Sequence, residues 1–461
     1  MIHDDAQNLI PGVSAGDLVA TPAALIPAAP PRLRRADRSQ VRLSACDLDR
    51  LIPLDHLARI VWAMVERWDL TAFLDTVAAR GEAPGRASTD PKILIAVWLF
   101  GYTQNVGGGR QLDRLCKEHD AYRWLAGGVS LNQHTLSDFR VTHEKALDGL
   151  LTQMLATLMR GGEMLITRTA GDGTRVRAAA GRGSFKTADT LQKHLTEARE
   201  LLEEIKTQPD EPEDSARSAQ AKAAAQRAAR ERVERIERAM EEVKQVAEAK
   251  DQQKEKPSKH QPAKASETDP EARQMRMPGG GTAPGYNIQF IVAVPGGGIE
   301  TAAGAEAPFR AIIAVGVTNA GSDVHESEPM LEQVEERLGY KVQEHLMDGG
   351  YIGLAAIDSA AADGVAILAP VPKARKEGVD PHQPRKTDSE AVRQWRLRMA
   401  TEASKSAYKH RAATVETANA ECRAYRGLSR ILVRGLNKVR CVALWSALAY
   451  NLIHFAALLT A

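Results

Sequence analysis

Apolar residues recur every three to four positions over much of the first third of the chain, the spacing of helices with one buried face. Leu54, Leu57, Ile60, Val61, Met64 and Val65 form one such stripe. Asp90-Pro91 opens a second helix, proline suiting its first turn, with Ile93, Leu94, Val97, Trp98 and Phe100 as apolar positions. A third helix is predicted over residues 110–118, and a fourth after Ser130-Leu-Asn132, whose side chains can cap it. As far as Arg160 the chain therefore reads as helical, with short glycine-containing turns. The fourth helix follows a Gly127-Gly128 turn and sets Thr135, Ser137, Arg140 and His143 beside the anchors Leu136 and Phe139. That helix-turn-helix-like order fits a DNA-reading helix with Arg140 as a contact, and equally an ordinary surface helix.

Near Met164 the period changes. Residues 165–177 read as a strand, or paired strands, broken by glycine, and 286–294, 310–318, 342–347 and 365–368 as further strands. Helices are predicted between them over 326–338 and 354–362, and this alternation points to an α/β sheet. An insertion interrupts the sheet. Leu191, Leu195, Ala198, Leu202 and Ile205 form one helical stripe, and Val233, Ile236, Met240, Val243 and Ala247 another. The proline-containing run 209–214 separates them, so the pair reads as an antiparallel helical hairpin, followed by a Lys/Gln/Pro/Ser-rich linker over 251–268. The hairpin fits a spacer, or a clamp on DNA or a second subunit. The C-terminal third is helical again, one helix over 403–425 and a longer apolar one over 431–459.

With 461 residues the chain is long enough for two to four folding units. Its formal charge of +2, from 61 basic and 59 acidic side chains, means that any basic surface is local. One basic run, Arg32, Arg34, Arg35, Arg38 and Arg42, lies in an Ala/Pro/Gly-rich flexible arm over 1–45 and fits a solvated tail or phosphate contacts. Cys46, Cys116, Cys422 and Cys441 are scattered without zinc-binding or disulfide spacing, as in a reducing cytoplasm. No apolar run reaches the ~18 residues of a membrane helix, and no signal segment is evident, so no membrane partner is expected. The glycine runs 279–281 and 296–298 lack the Lys-Ser/Thr of a phosphate-binding loop, so no nucleotide cofactor is expected either.

Three acidic residues carry the candidate chemistry. Asp172 sits between glycines in Gly-Asp-Gly-Thr, Asp348 ends the apolar run before Gly-Gly-Tyr, and Glu416 follows Tyr408 and Arg411 on a C-terminal helix. Phosphodiester cleavage by two divalent cations needs carboxylates from distant positions gathered at one place, and sheets gather such groups at the carboxyl ends of their strands. Taken singly, the two aspartates also fit turns, and Glu416 a surface ion pair. His325 fits the start of a helix capped by Ser322 or Asp323.

Four motifs in this order and spacing resemble the DDE transposases of bacterial insertion sequences: Gly-Asp-Gly-Thr-Arg-Val-Arg (171–177), Gly-Tyr-Asn-Ile-Gln (285–289), Met-Asp-Gly-Gly-Tyr (347–351) and Tyr-Lys-His-Arg-Ala-Ala-Thr-Val-Glu (408–416). Gly101-Tyr102, Arg110–Arg114, Trp124–Gly128 and Asp269–Arg273 look like the subgroup with a helical N-terminal domain and a helical insertion. The resemblance implies a ribonuclease H-like α/β core over 163–187 and 269–461, a helical DNA-binding domain over 46–162, and the hairpin and linker over 188–268 as an insertion. It assigns Asp172, Asp348 and Glu416 to hold two Mg²⁺ or Mn²⁺ ions. Water would then cleave a strand at the element's terminal repeats, and the freed 3′-hydroxyl would attack target DNA without a covalent enzyme intermediate. Implied partners are double-stranded DNA and a second copy of the chain on that DNA, at the nucleoid in the cytoplasm.

Tyr408 and Arg411 match the family pattern before the glutamate, whereas position 423 is Arg in place of Lys, and 417–421 departs from the usual Phe-Gly-containing segment. Arg175, Arg177, Lys186 and Arg423 are candidate phosphate contacts, with Tyr408 and Arg411, and Glu421 is the alternative third carboxylate. The departures keep a second reading open, a DNA-binding derivative that no longer cuts.

Overall fold

The structure, a computed structural model, describes residues 47–80, 87–160, 165–207, 215–252, 262–294, 299–300, 306–307, 310–374, 377–429 and 431–460. The arm over 1–45, half of the linker after the hairpin (253–261) and the 296–298 glycines lie outside the described residues.

Among the described residues, after a short 3-10 turn (Leu48–Leu51), seven α-helices precede the sheet: α1 (Leu57–Arg67), α2 (Thr71–Leu74), α3 (Pro91–Thr103), α4 (Gly109–Glu118), α5 (Asp120–Ala126), α6 (Gln133–Thr142) and α7 (Glu144–Arg160). α1 buries Ala58, Val61, Met64 and Val65, while Leu54, on the stripe by spacing, precedes the helix and is exposed. α3 starts as expected: Asp90 accepts from the Lys92 amide at 2.8 Å and Pro91 fills the first turn. Nearly every α3 side chain is buried, and the Trp98 indole donates to the Leu136 carbonyl of α6 at 2.9 Å. α5 ends on Gly127, whose φ of 57° is the left-handed cap that glycine adopts without strain.

α6 departs from the reading made for it. Asn132 caps it and Leu136 and Phe139 anchor it, but Arg140 is turned inward and only 4% exposed. Its Nε donates to the Tyr102 hydroxyl at 2.8 Å, and its guanidinium lies 5.2 Å from the centre of the Trp98 ring. Arg140 is therefore a packing cation within the helices, not a DNA contact on their surface.

β1 (Arg168–Arg177) begins the sheet. A ribbon strand β2 (Phe185–Lys186) leads into the hairpin helices α8 (Ala188–Thr207) and α9 (Ser215–Gln252), and β3 (Ala265–Ser266) pairs back on β2. The hairpin has its own small core of Leu191, Leu195, Ala198, Ile236, Ala239 and Val243. An ion pair between Arg273 and Glu242 ties its foot to the sheet.

Next come β4 (Arg273–Arg276), β5 (Thr282–Ala293), the short pair β6 (Ile299–Glu300) and β7 (Glu306–Ala307), and β8 (Ile312–Thr318). α10 (Ser327–Leu338), β9 (Glu344–Leu346), α11 (Leu354–Ala362) and β10 (Ala366–Leu368) complete the α/β part. The sheet order is β10-β9-β1-β5-β4, with β8 also on β5. β1 runs antiparallel to β5, setting Asp172 opposite Phe290, and parallel to β9, setting Ala170 opposite Leu346. Asp348 lies two residues beyond the end of β9, beside the strand that carries Asp172.

The last elements are α12 (Glu390–Ala400), α13 (Glu402–Arg411), a single π turn (Ala412–Glu416), α14 (Thr417–Tyr425) and α15 (Leu436–Thr460). Asp269 and Glu271 fix the start of α15 by accepting the Gly435 and Leu436 amides at 3.1 and 3.0 Å. By length and composition α15 is apolar enough to cross a membrane. Here it is a core helix: Val439, Val442, Leu444, Trp445 and Leu448 are wholly buried, and the Asn451 carboxamide pairs with both backbone polar groups of Ile312. The N-terminal helices and the sheet thus share one hydrophobic core, with α15 between them.

Candidate active site

β1, the turn after β9 and the π turn converge on one cleft, lined by Asp172, Thr174, Arg175, Arg276, Asp323, Asp348, Glu416, Asn419 and Arg423 among others. The three acids share a buried partner, the Arg411 guanidinium. Nη2 lies 3.0 Å from Asp172 Oδ1 and 3.9 Å from Asp348 Oδ2, and Nη1 lies 2.8 Å from Glu416 Oε1. Three carboxylates separated by up to 244 positions in the chain therefore face one cationic head. The Arg411 and Asp172 side chains are 8% and 18% exposed, whereas those of Asp348 and Glu416 are 49% and 52% exposed. Asp172 forms the floor of the cleft and the other two its rim.

The π turn explains why position 416 supplies the glutamate. In an uninterrupted α-helix residue 415 would follow 411 on one face, and 416 would point about 100° further round. The wider turn lets Val415 stay wholly buried while Glu416 comes back over Arg411.

Asp172 is held above its ordinary carboxyl value of 3.8, at about 6. Burial is the main cause, opposed by Arg411 and reinforced by Asp348, Glu416 and Asp323. Burial also raises Tyr408, which packs beside the cluster. Beneath the strand, His345 stays neutral, pushed down to about 4 by burial and by Arg411, and its Nδ1 lies 2.9 Å from the Thr169 hydroxyl.

The glycines flanking Asp172 make room for side chains. A methyl group at 171 would lie 2.9 Å from the His345 ring. One at 173 would lie 2.5 Å from Asp323 Oδ1, 2.6 Å from Gln289 Nε2 and 2.7 Å from Asn287 Oδ1. Gly173→Ala is accordingly expected to cost about 1–3 kcal/mol through overpacking, read as a lower melting temperature.

Of the other expected contacts, Arg175 lines the cleft, donates to the Gly321 carbonyl at 3.0 Å and stands 3.9 Å from Asp323. Arg423 lines it as well. Arg177 is exposed at the far end of β1, and Lys186 is half-buried on β2; neither lines the cleft. Arg411 is part of the carboxylate cluster. Glu421, the alternative third carboxylate, is turned away and pairs with Arg426 and His454 at 2.7 and 2.8 Å.

Asp323, Arg276 and Asn419 were not singled out for this site from sequence. Asp323 does not cap a helix: α10 starts at Ser327, and the Asp323 carboxylate instead accepts from Asn287 and Gln289 at 2.5 and 2.8 Å. Gln289 in turn accepts from the Tyr351 hydroxyl. The Asn-Ile-Gln triplet of β5 is thus a clamp for a fourth acid.

The donors suited to a cation here, on Asp172, Asp323, Asp348, Glu416 and Asn419, are all oxygens, the donor chemistry of a hard divalent cation, with Arg411 and the arginines of the walls opposing their charge. Among the described residues no three acidic, imidazole or thiol groups stand at coordination distance of one point, since the guanidinium lies between the carboxylates.

The fold is mixed α/β, with Asp172 within a central strand, Asp348 just beyond the end of its neighbour and Glu416 on the π turn. Two family models match the chain: Transposase domain (DUF772) over residues 46–142, which covers α1 to α6, and Transposase DDE domain over 374–456, which covers α12 to most of α15. Together they indicate an insertion-sequence DDE transposase family. Glu416 and Arg411 fall inside the second match, whereas Asp172 and Asp348 fall between the two. No curated protein and no solved structure matches the chain.

Proposed function

We propose that this chain binds the terminal repeats of its insertion sequence and cuts and transfers DNA strands with divalent cations held by Asp172, Asp348 and Glu416. The observation that carries this reading is the convergence of those three carboxylates on Arg411. The mixed sheet flanked by helices supports a ribonuclease H-like core, and the family matches at either end of the chain support DNA as substrate. Mg²⁺ or Mn²⁺ bound there would supply activation of the attacking hydroxyl and stabilisation of the leaving oxygen.

The chain's own residues have separable tasks. Asp172, on a central strand, gives a fixed floor against which the scissile phosphate is oriented. Asp348 and Glu416, on the more open rim, close on it from two sides. Arg175, Arg276 and Arg423 line the walls, where they would position phosphates and balance their charge. Arg411 would give up its carboxylate partners as cations enter, freeing its planar donor fork for a phosphate.

One observation favours a second reading. Arg411 already occupies the centre of the cluster, and a chain in which it never yields would bind DNA without cutting it. Incubation of the full chain with duplexes carrying the element's ends, in Mg²⁺, Mn²⁺ or EDTA, separates the two. Nicking and joined products that appear with either metal and vanish in EDTA are expected. Retention of the ends with no cut under any metal would establish the second reading.

A further inference from the structure

Asn419 holds a place in the cleft that neither the three acids nor the basic walls explain. It lies on α14, three residues after Glu416, with its side chain over nine-tenths buried: the residue is 6% exposed. Its Nδ2 donates to Asp172 Oδ2 at 3.2 Å, and Arg411 holds the other oxygen of that carboxylate at 3.0 Å. Its carboxamide oxygen has no hydrogen-bond partner although it is buried. An unpartnered buried carbonyl oxygen costs about 1–3 kcal/mol, so a residue kept that way needs a reason. Leucine, of similar volume, would fill the position without an orphaned oxygen.

We propose that Asn419 is a positioning residue for Asp172 and a further oxygen ligand for the cation that Asp172 and Glu416 hold. The proposal rests on the functional reading given above. A carboxamide is two-sided. Facing Asp172 with Nδ2, it orients the bare carboxylate; turned over about its terminal bond, it presents Oδ1 to a cation at the same carboxylate and satisfies the orphaned oxygen. Neutral amide oxygens suit hard divalent ions, and a ligand without charge adds nothing to the crowding of Asp172, Asp348, Glu416 and Asp323. A hydrophobic residue there would leave Asp172 with one fewer orienting partner and the cation with one fewer oxygen.

Mn²⁺ binding to the DNA-free full chain, followed by electron paramagnetic resonance and by calorimetry, tests this directly. Asn419→Leu, which keeps the volume and removes the oxygen, is expected to weaken Mn²⁺ binding by ~10-fold or more. Asn419→Asp restores an oxygen and is expected to bind Mn²⁺ at least as tightly as the natural chain. Melting curves and retention of end-bearing duplexes in EDTA show whether each variant is folded. Folded Asn419→Leu that binds Mn²⁺ as the natural chain does, or Asn419→Asp as weak as Asn419→Leu, would overturn the proposal. If Asn419→Leu does not fold, Asn419→Ser carries the same comparison, a shorter oxygen donor predicting intermediate affinity. If the natural chain neither binds Mn²⁺ nor cuts, the functional reading itself fails; if it does both and Asn419→Leu matches it, only this inference fails.

Discussion

Asp172→Asn is expected to lower strand cleavage on the order of 10³-fold or more while leaving retention of the DNA ends within about two-fold. The substitution keeps shape and removes charge at the floor of the cleft, the most enclosed carboxylate of the three. Its cost falls on the chemical step, because DNA is held mainly through backbone phosphates and the basic walls are untouched. The same variant carries a second signature in the metal-free protein. Asp172 sits at about 6 in the folded chain against an ordinary 3.8, so the folded protein holds the proton more tightly than the unfolded one. The stability this contributes is complete below about pH 3.8 and is lost as pH rises through about 6. Above that range the ionised carboxylate costs on the order of 3 kcal/mol. Asp172→Asn, which cannot ionise, should therefore melt higher than the natural chain at pH 7.5, and the gap should close as pH falls towards 4. Melting curves across that range, beside a cleavage assay, check both halves. Full cleavage by the variant would remove Asp172 from the mechanism, and a gap that does not change with pH would remove it as the buried charge.

Much of the backbone plan could be read from the chain because it rests on local signals, whereas the three acids were marked only by the resemblance, each alone fitting a turn or a surface ion pair. Leu354–Ala362 folds as the helix its apolar spacing predicts, and the strand carrying Asp172 is punctuated by glycines that contact with His345 and Asp323 requires. What could not be read depends on contacts far along the chain. Residues 403–425 read as one helix, since nothing local in Ala-Ala-Thr-Val-Glu signals a π turn. The turn arises because Val415 must stay in the core while Glu416 reaches the cleft. Asp323 read as a cap because Ser-Asp before a helix usually is one. His325, at a φ of 82°, bends the loop so that the carboxylate meets Asn287 and Gln289 instead. Arg140 read as a surface cation because its two aromatic neighbours, Trp98 and Tyr102, lie nearly 40 residues earlier, and only packed helices bring them together.

Removal of Arg411 should produce the second large effect, and one that depends on cations. Its guanidinium is the common partner of Asp172, Asp348 and Glu416, and 8% of it is exposed. Arg411→Ala leaves those carboxylates facing one another with no countercharge between them. Breaking a buried pair by deleting one partner costs 3–5 kcal/mol where both are enclosed; here Asp348 and Glu416 are half-exposed and screened by water, so about 3 kcal/mol is expected in EDTA. On the proposed reading a cation entering the natural chain would have to displace the guanidinium, whereas in Arg411→Ala the acidic cleft would be open to it. Mn²⁺ should therefore stabilise the variant more than the natural chain, the variant's own gain over EDTA being about 2.7 kcal/mol at a concentration 100 times its dissociation constant. Melting curves of both proteins in EDTA and across a Mn²⁺ titration measure the two terms separately. A variant that melts like the natural chain in EDTA would show that the three carboxylates do not crowd one another. One that is destabilised but gains nothing from Mn²⁺ would show that the guanidinium does not hold the place of a cation.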